Sequence, residues 1–156
     1  MLRYSLAVSL LLSLPSLGFA QNGATALPIE GVWRIADRIN PDPHMNGPAT
    51  GPSLAVFTKK HYSILAMHNG QPKVAPFKTP GKPTDAEKIA RYEYWDFVVA
   101  TAGTYEVKGT TLIRHPSVAK DEPGTGATSS DELKFEGNNT MWHISKQRSV
   151  KYVRLE

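Results

Sequence analysis

Between Gly31 and Leu155 the chain is cut into short runs of β-branched and aromatic residues, separated by stretches rich in Gly, Asn, Pro and Lys. Runs of that length with alternating apolar positions are strands, each with one face to bury. The first is Glu30 to Ala36, where alternation puts Trp33 and Ile35 on one face and Val32 and Arg34 on the other. Ser53 to Thr58 and Tyr62 to Met67 follow, joined by Lys59, Lys60 and His61 in a connection short enough for a hairpin. Five more complete the set: Thr104 to Val107, Thr111 to Val118, Glu132 to Phe135, Met141 to Ser145 and Val150 to Leu155. Lys108-Gly109 and Gly137-Asn138-Asn139 mark tight turns among them. Asn40 to Pro52, Gln71 to Lys82 and Ala119 to Ser130 lack periodicity and read as long connections.

One helix interrupts the strands. Thr84 with Glu87 three residues later is a capping-box pattern, in which each side chain satisfies a free backbone amide, and Pro83 blocks extension backward. Ala86, Ala90, Tyr94, Phe97 and Val98 fall at helical spacing and predict an apolar stripe packed on a sheet, with Gly103 as the stop. The fold expected is all-β, a small antiparallel up-and-down barrel with one short α-helix. Closing such a sheet removes both of its unpaired edges. A two-sheet sandwich is the alternative.

The chain has 156 residues, a length that suits one domain, and contains no Cys. Disulfides, thiolate metal sites and a cysteine nucleophile are therefore excluded, and the core must hold by packing alone. Residues 1 to 20 carry a single charge, Arg3, then an apolar run from Leu6 to Leu14, with small residues at Gly18 and Ala20. This is the pattern of a signal peptide cleaved before Gln21, too short for a spanning helix, and it predicts a periplasmic or secreted domain over residues 21 to 156. No later stretch is apolar enough to span a membrane. The formal charge of the whole chain is +4, and its basic residues are scattered, with Lys59-Lys60 the sole adjacent pair. That pattern gives neither a nucleic-acid footprint nor a polybasic membrane patch.

Three segments carry a resemblance: Gly31-Val32-Trp33-Arg34, the run Ala102-Gly103-Thr104-Tyr105-Glu106-Val107 after a capped helix, and Tyr152-Val153-Arg154-Leu155. With them the chain resembles the bacterial and fungal lipocalin-like domain family over essentially all of residues 21 to 156. The resemblance implies a small antiparallel barrel able to take an apolar or amphipathic molecule, and it implies no reaction. By analogy with lipocalins proper, it also implies that Arg154 lies over the Trp33 indole and closes one end of the barrel, a structural role.

The chemistry-bearing residues are sparse. The five histidines, His44, His61, His68, His115 and His143, show no zinc-pair spacing, so no metal or other cofactor is expected. Phosphate-binding glycine loops followed by Lys and Gly-x-Ser-x-Gly elbows do not occur. Phe57, Tyr62, Tyr94, Tyr105 and Trp142 come from different elements that converge on one interior, and with His115 they are the expected lining of a ligand pocket. The expected function is binding of a small hydrophobic or amphipathic molecule. Two other readings stay open: an isomerase or hydratase using His115 and a tyrosine for proton transfer, and an envelope protein with a filled barrel. The sequence specifies neither ligand identity nor oligomeric state.

Overall fold

The computed structural model describes residues 29–156. The signal peptide expected over residues 1 to 20 and its cleavage before Gln21 lie outside the described residues. The strands are β1 (Gly31–Ile39), β2 (Gly47–Pro48), β3 (Ser53–Phe57), β4 (His61–Met67), β5 (Val98–Lys108), β6 (Thr111–Ala119), β7 (Ser129–Phe135), β8 (Thr140–Ile144) and β9 (Ser149–Arg154), with one α-helix among the described residues, α1 (Asp85–Asp96), between β4 and β5 and short 3-10 turns at Pro43–Met45 and Glu122–Gly124. Every neighbouring pair is antiparallel, in the order β1-β3-β4-β5-β6-β7-β8-β9, and β9 pairs back onto β1 from Trp33↔Arg154 to Ile39↔Ser149. The sheet is therefore a closed eight-stranded up-and-down barrel. Strand β2 is a two-residue addition beside the second half of β1.

The two ends differ. Tight turns at Thr58 to His61, Gly109 and Gly137 to Asn139 gather at one end, here the lower; the long connections and α1 gather at the other. At the β5–β6 turn Gly109 takes φ +62°, a conformation that a side chain disfavours. Farther up the same strand pair, β6 carries one extra residue opposite Ala102 and Gly103. A Cβ on Gly103 would run into the His115 carbonyl and Pro116, so only glycine lets the strands approach there.

Inward positions follow the alternation of each strand. Trp33, Phe57, Leu112 and Met141 are the largest fully buried side chains and fill the lower half with Ala55, Leu133 and Tyr152. At the bottom the Trp33 indole donates to the Ile29 carbonyl at 2.9 Å. The Arg154 guanidinium lies 4.1 Å from the Trp33 ring centroid and donates to the carbonyls of Glu30 and Asn138. The cation thus covers the aromatic face while its N–H groups close the ends of the chain segments around it.

The helix differs from expectation. Thr84 and Glu87 form the capping box, and the Glu87 carboxylate also accepts from the Lys78 amide at 2.9 Å. The helix stops at Asp96 with Phe97 as its cap, and Val98 begins a strand that runs through Gly103. Phe97 and Val98 fit a helical stripe by spacing, but the β-branched Val98, Val99 and Thr101 favour pleated sheet, where β4 offers a partner. No residue of α1 is fully buried: of the expected stripe, Ala90, Tyr94 and Phe97 are half-buried and Ala86 is exposed, while Ile89, Tyr92 and Trp95 on the other faces are exposed. No helix among the described residues is long and apolar enough to cross a membrane.

Candidate functional site

The upper half of the barrel holds what the lower half excludes. Arg38, Arg114, Asp131 and His143 are each buried, and all four face inward beside apolar neighbours. Three of them obey simple alternation: Arg114 stands two residues from buried Leu112, Asp131 two from Leu133, and His143 two from Met141.

Arg38 arrives differently. Ile35 pairs with Tyr152 and Asp37 with Lys151, so β1 carries an extra residue at Ala36. That bulge shifts the inward phase from positions 33 and 35 to 38, turning Asp37 aside and Arg38 in. Inside, one Arg38 Nη donates to the Met67 carbonyl at 3.1 Å, across the gap between β1 and β4, and the other has no partner. Burial lowers the pKa of this guanidinium, although an arginine keeps its charge.

Across the interior, Arg114 and Asp131 form a buried ion pair at 2.5 Å, with the Arg114 Nε left without a partner. His143 packs edge-on to Phe57 and 4.5 Å from the Tyr152 ring centroid, and neither of its ring nitrogens makes a hydrogen bond. Burial, then Arg114 and Arg148, hold its pKa well below the ordinary histidine value, so the ring is neutral at neutral pH. Burial likewise raises Tyr152, which stays protonated. His68 is lowered by burial first and then by Arg38, Lys120 and Arg148, against the pull of Asp42, and its Nδ1 is buried without a partner.

These groups line a cavity of about 100 Å³, together with the apolar side chains of Ile35, Ile64, Val99 and Val150. Asn40, Asp131 and Arg148 also line a wider groove of about 590 Å³ that continues over the Asn40 to Asp42 and Ser145 to Arg148 segments. The inner space therefore leads outward at the upper end, whereas Trp33 and Arg154 seal the lower one. Among the described residues there is no group of three or more His, Asp or Glu poised to hold a metal.

None of the six residues expected to line a pocket borders this cavity. Phe57, Tyr62 and Tyr105 are brought together, but as packing. Phe57 stacks on Tyr62 at 6.2 Å and meets Tyr105 edge-on at 5.5 Å. The Tyr62 hydroxyl is taken by Thr101 Oγ1 and that of Tyr105 by the Thr58 carbonyl. Tyr94 lies on α1 beside Phe77 and Trp95, outside the barrel. His115 and Trp142 sit on the outer face, because Leu112 and Met141 fix the opposite parity of their strands as inward. His115 contacts Thr128 and Glu106, and Lys151 lies over the Trp142 ring. His115 and His143 are consequently on opposite sides of the barrel wall.

Strand pairing and cavity together define the class: a closed up-and-down barrel, solid below and holding a polar, cationic cavity above. Its architecture is the one that the lipocalin-like resemblance implies. No protein-family model matches the chain, and no curated protein matches it. Solved structures similar to it include a lipocalin-like protein from Bacteroides uniformis, 10% identical, covering 82% of this chain and 99% of that one at a TM-score of 0.47. An uncharacterized protein from Bacteroides eggerthii is also 10% identical, covering 80% of this chain and 98% of that one at a TM-score of 0.46.

Proposed function

We propose that the protein is an exported binding module that holds a small amphipathic molecule, polar end inward, at the upper end of the barrel. The observation that carries this reading is the cavity itself. It combines an apolar lining with buried polar atoms, on Arg38, Arg114, His68 and His143, that have no protein partner. Leaving such groups unmatched costs roughly 1 to 3 kcal/mol each, a cost that a polar ligand removes. The space is small: about 100 Å³ equals roughly three waters, so it takes a head group and a short tail. A longer tail has the outer groove for its path. Large polycyclic or long-chain ligands held wholly inside are incompatible with the packing of Phe57, Tyr62 and Met141.

Native mass spectrometry of the protein, exported from cells and purified without detergent, tests both parts. The expected result is a chain beginning at Gln21 and carrying a small molecule whose removal speeds amide exchange at the upper ends of β1, β6, β7 and β8. Retention of Met1 to Ala20 on soluble exported protein overturns the export reading. If no added or co-purified molecule binds saturably, the binding reading falls and the filled-barrel alternative replaces it.

A further inference from the structure

Resting on that binding reading, we propose that the group recognised in the cavity is a single carboxylate, held between the Arg38 guanidinium and the Arg114–Asp131 pair.

The charge balance selects the sign. Arg114 is neutralised by Asp131, whereas among the described residues no carboxylate lies within ion-pair distance of Arg38. The buried interior therefore holds one uncompensated positive charge, and a buried charge is tolerated when something pairs it. An apolar occupant leaves that charge stranded and a cationic one adds to it. A neutral alcohol or amide fills hydrogen bonds without supplying the missing negative charge.

The same balance selects the valence. One negative charge matches the one buried cation without a carboxylate, Arg38, while Arg148, which also lines the cavity, is exposed at its outer edge and adds attraction for an anion there. The free donors point the same way. Arg38 offers one unpartnered Nη and Arg114 its unpartnered Nε, and the planar guanidinium matches the two oxygens of a carboxylate. His143 beside them is a neutral ring able to donate one hydrogen bond to the bound group. Ile35, Ile64, Val99 and Val150 give the lining its apolar part, beside the polar Asn40, Thr101 and Ser149, so the carboxylate carries a short tail with an apolar side.

Calorimetric titration of the whole soluble protein with straight-chain monocarboxylates from acetate to octanoate tests this, with the matching alcohols and primary amides, inorganic phosphate and chloride as parallel arms. The expected result is saturable binding of the carboxylates alone, accompanied by shifts of the Arg38 and Arg114 Nε–H signals in nitrogen-15 spectra. The substitution Arg38→Met, with its fold checked by circular dichroism, should weaken binding by roughly 30-fold or more, as expected for removing one partner of a buried charge pair. The wild-type arms decide the matter even if that variant does not fold. Alcohols or amides binding as tightly as the carboxylates, phosphate or chloride binding in their place, or a folded Arg38→Met protein with unchanged affinity would each overturn the carboxylate assignment while leaving the binding reading intact. Silence in every arm overturns the carboxylate assignment, and the binding reading then stands or falls by native mass spectrometry.

Discussion

Arg38 brings a full charge into the barrel with one carbonyl as partner, and the fold bears the cost. Replacing it with Met, a side chain of similar length, should therefore stabilise the ligand-free fold by about 1 to 3 kcal/mol in urea unfolding. Asp131→Ala should do the opposite and cost about 3 to 5 kcal/mol, because it leaves the Arg114 guanidinium buried without its carboxylate. His143 adds a dependence on pH. Its folded pKa lies well below the unfolded value of 6.5, so below that value the unfolded chain binds the extra proton. Stability from this group is complete at neutral pH and falls as pH drops below about 6.5, by up to about 1.4 kcal/mol per unit, until the folded pKa is reached. His68 acts in the same direction. Unfolding free energies measured between pH 7.5 and 5 should show this slope, and His143→Phe should flatten it; an unchanged slope would mean that another group carries it.

The elements were legible in the sequence wherever a strand's own alternation was strong. Trp33 and Ile35, or Tyr62 and Ile64, announce their buried face by themselves. The phase of β6 and β8 was legible in principle, since Leu112 and Met141 share parity with Arg114 and His143, but reading aromatic residues as inward selected Trp142 instead. Arg38 was not legible, because strict alternation from Trp33 points Asp37 inward and only the pairing of β1 with β9 exposes the extra residue at Ala36. The helix start was written in Thr84 and Glu87; its end was not, since helical spacing continues across the strand that follows. Because α1 buries no residue fully, its stability is mostly local. The Lys78 and Thr84 amides and the Thr84 hydroxyl hold the Glu87 carboxyl at about 2, so this cap is present above the ordinary carboxylate range and is lost as pH falls through about 2. Thr84→Ala or Glu87→Gln should accelerate amide exchange throughout α1 while leaving the unfolding midpoint of the barrel unchanged. A matching fall in that midpoint would show that the helix and barrel unfold as one unit.

For the molecule as a whole, closure depends on joining the first strand to the last, which are remote in sequence. Trp33 and Arg154 face each other across that seam. Trp33→Ala should lower stability by about 3 to 5 kcal/mol, the range for truncating a buried large aromatic, and Arg154→Ala by less. Their double mutant should lose less than the sum, since the two side chains share one contact; strict additivity in denaturant unfolding would show that the stacking contributes nothing. The division of the barrel into a packed lower half and a polar upper half has a consequence for how such a protein changes over time. The residues that keep the barrel shut, Trp33, Phe57, Leu112, Met141 and Arg154, are different from those that face the cavity, Arg38, Arg114, Asp131 and His143. Changes at the second set alter the chemistry of the cavity while leaving the packing of the first in place. A library randomised at those four positions should yield soluble barrels where Arg114 and Asp131 are kept or replaced together by apolar residues, and few where one of the pair is left alone, which makes the molecule a chassis whose head is exchanged in linked steps.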